Sequence, residues 1–349
     1  MNCMHILDLY ENAFVKIHNY QNMDDYQFKN TNLEEVIPFY SDDKKYYDDI
    51  EACYHKWLEE NQIQIEEELL QKLEAVYSIW EDEESKGAFD WYIQFRLTYT
   101  ILHDTKAAET IFPYPMKYTR FQLARMAASQ IQKEDDLFVI KGYKMETDSY
   151  LVSESWICET YVLEDKCGPD KNDVIIDAGA YKGETALWFA DKVGKNGKVY
   201  AFEILPSHVQ VIEQNIHRNG LDDIVSTVNK GLWSENSTIQ VCENSDATKC
   251  SETNEGIESE VVAFDDFVEE MSINKIDYIK MDIEGAELNA LKGAEKTLKR
   301  DQPKLAICLY HKYMDIVEIP LWLKQLNSQY KFYIAQKTPS PNSIVMYVK

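Results

Sequence analysis

The chain has 349 residues, 45% of them hydrophobic and 28% charged, a composition that supports a sizeable buried core and excludes a disordered or fibrous polypeptide. The length favours two domains. The net charge is −25, and residues 1–165, with 33 acidic and 15 basic side chains, carry −18 of it, so the surface repels phosphate backbones and no nucleic-acid partner is expected.

In chain order, the opening MNCMHILDLYENAF lacks the basic start and long apolar core of a signal peptide. No run approaches the roughly 18 to 20 apolar residues of a spanning helix, so no membrane span is expected and a cytoplasmic location is. Apolar residues recur at helical spacing through 55–80 and again through FDWYIQFRLTYTILHD. Pro113 and Pro115 then break the pattern, before a third helical run, TRFQLARMAASQIQK. Residues 1–135 therefore read as an acidic, mostly helical domain. Residues 136–173 read as short strands, DLFVIKGYKME and SYLVSESWICETYVL, and a connector ending in the turn-like CGPDKND. From 174 to 349 apolar runs alternate with helical patterns: VIIDAG then TALWFADKV, KVYAFEI then SHVQVIEQNIHRNG, IDYIKMDI then AELNALKGAEKTLKR, KLAICLYH then IVEIPLWLKQLN. Such alternation predicts an α/β fold, a parallel sheet covered by helices on both faces. YKFYIAQ and NSIVMYVK have no helix between them and are expected to pair as an antiparallel hairpin at one edge. Seven cysteines form no metal-ligand spacing, so reduced thiols are expected.

Three motifs carry chemistry. In VIIDAGAYKGETALWFA a strand ends at Asp177 and runs through Gly179 and Gly183 into a helix. The glycines permit close approach of a ligand, and the helix start offers free amides to a carboxylate. Phosphate and dinucleotide binders share this pattern, and a purely structural turn is the alternative. In KVYAFEILP, Glu203 ends the next strand, where a carboxylate accepts hydrogen bonds from ribose hydroxyls. Both features suit adenosylmethionine and NAD alike. In IDYIKMDIEGAELNALKGA a buried strand ends at Asp282 and a helix is expected to begin near Glu284 and Gly285.

VIIDAGAYKGET, VYAFEILP, LWSENSTIQV, VVAFDDFV and YIKMDIEGAELNALKGA together resemble FkbM-family methyltransferases over roughly residues 170–315. The resemblance implies a class I methyltransferase fold, a Rossmann-like seven-stranded sheet, with S-adenosyl-L-methionine as cofactor and O-methylation of a hydroxyl on a sugar, glycan or natural product. It places Asp177, Gly179, Ala180 and Gly183 around the methionine part of the cofactor, Glu203 on the ribose, and Asn229 and Lys230 near the adenine.

A hydroxyl is a poor nucleophile while protonated, so a base is sought at the strand ends facing the methyl group. His311 is the first choice because it titrates nearest neutrality, with Asp282 and Glu284 as the other catalytic candidates. Each has a plain alternative: His311 as a core histidine paired with Asp282, Glu284 as an acid favoured in a first helical turn, and Asp282 as a contact to the cofactor amine. A divalent metal on Asp265, Asp266, Asp282 or Glu284 is the lesser reading, since Asp265 and Asp266 suit helix caps, and the site is expected to hold no metal. Competing readings are an NAD-dependent dehydrogenase and a non-catalytic scaffold; neither the acceptor nor the oligomeric state is readable.

Overall fold

A computed structural model describes residues 4–21, 67–244, 247–250 and 256–349. The chain divides into two compact units, Met1–Arg125 with Ile334–Pro339, and Met126–Tyr333 with Ser340–Lys349. No helix among the described residues is long and apolar enough to cross a membrane.

The first unit contains helices α1 (Met4–Gln21), α2 (Glu67–Tyr77), α3 (Glu83–Leu102) and α4 (Thr105–Ile111). The first part of the helical run expected over 55–80 lies outside the described residues. Ile6, Leu9, Tyr10, Ala13 and Ile17 form a stripe at helical spacing on α1 that is buried beside α2 and α3. Glu74 of α2 accepts the amide of Ile6 at 3.0 Å, satisfying one of the donors a helix start leaves unpaired. Asp82 caps α3 through Ser85 N at 2.8 Å and Asp104 caps α4 through Ala107 N at 3.0 Å, each cap contributing about 1 kcal/mol.

Helix α5 (Arg120–Gln130) follows the two prolines and leads to a small antiparallel sheet of β1 (Gln132–Glu134), β2 (Leu137–Ile140) and β3 (Tyr143–Met145). The stretch 149–163, read from sequence as strand, is instead a helical turn α6 (Ser149–Val152) continuing as a π-helical turn over Ser153–Ile157. Val152 and Trp156, four residues apart, are both buried. Burial at that spacing outweighs the strand preference of the β-branched and aromatic residues.

The remaining elements are β4 (Val174–Ala178), α7 (Glu184–Val193), β5 (Lys198–Phe202), α8 (Pro206–Arg218), β6 (Val225–Val228), β7 (Gly231–Trp233), β8 (Ser237–Asn244), β9 (Ala247–Cys250), β10 (Ile257–Ala263), α9 (Phe264–Glu270), β11 (Tyr278–Met281), α10 (Glu287–Lys292), α11 (Glu295–Asp301), β12 (Lys304–Cys308), α12 (Asp315–Leu326), β13 (Phe332–Gln336) and β14 (Ile344–Val348). Seven strands form one mixed sheet in the order β13-β14-β12-β11-β4-β5-β6. β12, β11, β4, β5 and β6 run parallel, and β14 is antiparallel to β12. Lys331 and Lys349 exchange backbone hydrogen bonds at 2.8 and 3.1 Å, the reciprocal pairing of antiparallel strands. The expected edge hairpin is present. A second sheet, β7-β10-β8-β9, was not foreseen from sequence.

From β4 the chain winds outward through β5 to β6, then crosses back to β11 on the other side of β4. The connections leaving β4 and β11 therefore diverge, which opens a crevice at the carboxyl ends of these strands.

Candidate active site at the switch point

β4 and β11 pair with Lys280 opposite Asp177. Asp177 is wholly buried, accepts the hydroxyl of Thr185 at 2.7 Å, and faces Lys280 Nζ at 3.2 Å. Lys280 is itself buried and donates to the carbonyl of Gly179 at 2.6 Å. Burial pulls the lysine pKa down, but the carboxylates of Asp177 and Asp282 outweigh it and raise it above the ordinary value. The pair thus fixes the loop from below. Nothing in the motif reading had singled out Lys280, although one cation inside the buried strand YIKM was the available signal, because such a charge requires a buried partner.

The loop itself is shaped by backbone sterics. Gly179 has φ 79° and Gly183 φ 91°, the left-handed region that favours glycine. The amides of Gly179 and Ala180 both donate to the Phe202 carbonyl, at 3.0 and 2.9 Å, tying the loop to the end of β5. A Cβ added at Gly179 would stand 1.9 Å from the carbonyl oxygen of Asp282, so the two strand ends approach as closely as backbone allows.

Glu203 follows β5 and is almost fully buried. One carboxylate oxygen accepts Tyr181 N and the other Leu205 N, both at 2.9 Å, with His208 Nδ1 3.6 Å away. Each oxygen keeps a lone pair for a further donor. Asn229 donates to the carbonyls of Glu203 and Ile204 at 2.9 and 3.1 Å, holding that turn, while Lys230 pairs with Glu260 at 3.1 Å. Asp177, Gly179, Ala180, Gly183, Glu203 and Asn229 thus gather around one loop, with Lys230 directed to the second sheet.

Beside it, at the ends of β11 and β12, stand Asp282, Glu284, Glu287, Tyr310 and His311. Tyr161 and Tyr310 donate their hydroxyls to the two oxygens of Asp282 at 2.9 and 2.7 Å. Burial would raise this carboxyl, but the adjoining His311, Lys280 and Tyr310 outweigh burial and hold it well below the usual carboxylate range. Imidazole Nδ1 of His311 lies 2.9 Å from Glu287, and Nε2 lies 3.3 Å from Asp282 and 3.7 Å from Glu284. Burial works against charge on the ring, yet the carboxylates of Glu287, Glu284 and Asp282 prevail and hold its pKa well above the ordinary imidazole value. So held, the ring is biased toward its protonated form, which is the opposite of what a free base needs.

Two expected placements are corrected. The helix after Asp282 starts at Glu287, not near Glu284 and Gly285; these two instead form a left-handed turn, with φ 56° and 90°. Asp265 and Asp266 do not cap their own helix, which begins at Phe264. Asp265 accepts Lys296 N and Thr297 N at 2.9 and 2.8 Å, capping α11, and Asp266 accepts Asn236 at 2.9 Å. Both carboxylates are committed away from the strand ends. Glu287 and the tyrosines 161 and 310 went unassigned in the sequence, since their role depends on contacts across the fold.

Glu184, in the first turn of α7, is buried beneath the loop and accepts Thr147 Oγ1 at 3.1 Å. Burial, against smaller effects of its hydrogen bonds and Lys280, raises its pKa from 4.5 to about 7. Below the unfolded value both states are protonated and nothing changes. As pH rises toward 7 the unfolded chain ionises while the folded one resists, so stability falls, by roughly 3 kcal/mol once above 7. Glu184→Gln is therefore expected to be more stable than wild type at pH 8 and to lose that advantage at pH 5. Urea unfolding of the ligand-free protein at both pH values measures it; an unchanged difference between them would refute the assignment.

Residues 177–330 match the family model of the methyltransferase FkbM domain. No curated protein matches the chain in sequence. Among solved structures, methyltransferase FkbM from Methylobacillus flagellatus is similar, with a TM-score of 0.55 and 17% identity over 80% of this chain and 58% of that one. The chain thus spans little more than half the length of that relative, and the likeness extends to the fold. Fibrillarin from Aeropyrum pernix, solved with S-adenosyl-L-methionine, has a TM-score of 0.35 and 10% identity over 52% of this chain and 67% of its own. An O-methyltransferase from Bacillus cereus, solved with SAH, has a TM-score of 0.33 and 15% identity over 50% of this chain and 73% of its own.

Proposed function

We propose, from the premise that residues 177–330 form a methyltransferase FkbM domain, that the chain transfers a methyl group from S-adenosyl-L-methionine to a hydroxyl of a sugar, glycan or natural product. The observation that carries the cofactor assignment is the pairing of the Gly179 cradle with Glu203. A Cβ at Gly179 would strike the Asp282 carbonyl, so only glycine lets the loop take this shape, and the Glu203 carboxylate, held by two amides, has lone pairs left for a pair of ribose hydroxyls. Such a cofactor supplies an electrophilic methyl group on a sulfonium. The loop amides and Glu203 bind and orient it.

The acceptor hydroxyl belongs at the ends of β11 and β12. There the positive charge at His311 Nε2 stabilises the oxygen as it loses its proton, and Glu284, the most exposed carboxylate of the group at 33%, receives it. Glu287 and the two tyrosines are positioning residues that hold His311 and Asp282. Fixing the acceptor in line with the methyl group supplies up to roughly 7 to 11 kcal/mol of the barrier reduction.

Titration calorimetry with S-adenosylmethionine and with NAD tests the reading. Binding of the former alone is expected, and Glu203→Ala is expected to weaken it about 30-fold or more through loss of charge-assisted hydrogen bonds. Binding of NAD instead would overturn the assignment. Labelled methyl transfer into candidate hydroxyl compounds then identifies the acceptor.

A further inference from the structure

The segment that precedes the large sheet runs alongside the cofactor loop and meets it or its helix through three consecutive residues, Glu146, Thr147 and Asp148. Asn215 of α8, fully buried, donates to the carbonyls of Glu146 and Lys182 at 3.0 and 2.8 Å and accepts the Glu146 amide at 2.9 Å. Thr147 donates to Glu184. Asp148 stands just before α6, where an aspartate ordinarily caps a helix, yet its side chain makes no capping hydrogen bond. Its Oδ2 instead accepts the Tyr181 hydroxyl at 2.8 Å and Lys182 Nζ at 3.1 Å.

Tyr181 is the strained residue of that loop. Its φ is 48°, in the left-handed region, where a non-glycine residue persists only when its surroundings over-determine it. Three contacts do so. The amide donates to Glu203 Oε2 at 2.9 Å, the hydroxyl reaches Asp148, and the ring stands edge-on to His208 with centroids 4.5 Å apart. Turning φ back to the favoured region would rotate the peptide plane that carries the amide and withdraw it from Glu203.

We propose that Asp148 is a positioning residue for the cofactor. Through the Tyr181 hydroxyl it holds the residue whose amide orients Glu203, and so sets the direction in which that carboxylate offers its lone pairs to the ribose. This role rests on the adenosylmethionine reading of the site and adds to it a side chain 33 positions before Tyr181.

The competing explanation is that Asp148 simply fastens its own segment. Two features weigh against it. Asn215 and Thr147 already tie the segment down, and Asp148 is 42% exposed, so its ion pair with Lys182 contributes little to stability. Loss of the carboxylate should therefore appear in cofactor affinity and leave unfolding nearly unchanged.

Calorimetric titration of the full chain with S-adenosylmethionine tests this. Asp148→Ala is expected to weaken binding about tenfold, and Tyr181→Phe by a similar factor, because each removes the same charge-assisted hydrogen bond. Asp148→Asn keeps an acceptor for the hydroxyl and should restore affinity to within about threefold of wild type. Because the residues act in one chain of contacts, Asp148→Ala should add less than about twofold to the loss in Tyr181→Phe or in Glu203→Ala. Urea unfolding of Asp148→Ala and Tyr181→Phe should stay close to wild type. Should Asp148→Ala fail to fold, Tyr181→Phe, alone and combined with Glu203→Ala, carries the comparison. In the ligand-free protein, hydrogen exchange of the Tyr181 amide is expected to quicken about tenfold in Asp148→Ala, as its hold on Glu203 loosens. Unchanged exchange, wild-type affinity in folded Asp148→Ala, or losses that multiply undiminished across the combined variants would overturn the proposal while leaving the cofactor reading intact. A wild-type protein that binds no S-adenosylmethionine would overturn the cofactor reading itself, and the cofactor role of Asp148 with it.

Discussion

Gly179→Ala is expected to abolish S-adenosylmethionine binding and to destabilise the fold by about 3 to 5 kcal/mol. Two penalties coincide at this position. The residue has φ 79°, and an added Cβ would sit 1.9 Å from the Asp282 carbonyl. No rotamer relieves the second clash, because both partners are backbone. Either the loop lifts away from the end of β11 or that strand end moves, and in both cases the cradle loses its shape. Gly183→Ala is the comparison: its φ is similar at 91°, but the nearest atom to a Cβ is a methyl group of Ile212 at 3.3 Å. It should cost about 1 to 2 kcal/mol and leave measurable binding. Equilibrium unfolding and calorimetry report the two effects separately. Wild-type affinity in a folded Gly179→Ala protein would show that the close approach is not what forms the cofactor cradle.

Removal of the buried cation beneath the same loop should be comparably severe. Lys280→Met strands Asp177 in a fully buried position with only Thr185 to hydrogen-bond it, and breaking a buried pair by taking one partner costs about 3 to 5 kcal/mol. The double variant Asp177→Asn with Lys280→Met removes both charges and keeps an acceptor for Thr185. It is expected to be more stable than Lys280→Met alone by about 2 kcal/mol or more, the coupling that a double-mutant cycle isolates. Additive losses would mean that the two side chains do not act as a pair.

The legibility of the sequence follows from these contrasts. Strands buried on both faces, such as VIIDA and KLAIC, write themselves as continuous apolar runs, and their alternation with helices conveyed the parallel sheet and its edge hairpin. The loop glycines were legible because their conformations require glycine. By contrast, SYLVSESWICETYVL pointed to strand by composition, whereas the side chains it buries recur at helical spacing. Lys280 stayed invisible because its partner lies more than 100 residues away in the chain. His311 was found as a residue type near neutrality, but its protonation is set by Glu287, Glu284 and Asp282, which only the fold brings around it. The second sheet, built from β7 to β10, has several exposed residues and little apolar alternation to announce it.

The tyrosine contacts around Tyr161 bear on how this protein can be dissected. Tyr278 in β11 donates its hydroxyl to the carbonyl of Tyr161, and Tyr347 in β14 donates to that of Thr160, so two strands of the sheet terminate their polar atoms on a segment that precedes it in the gene. A recombinant fragment begun at Val174, the natural cut on paper, would leave both phenols buried without acceptors and would strip Asp282 of the hydroxyl of Tyr161. What resembles a dispensable leader to the sheet is part of its inner wall, and the two stretches are constrained to be inherited, swapped or expressed together.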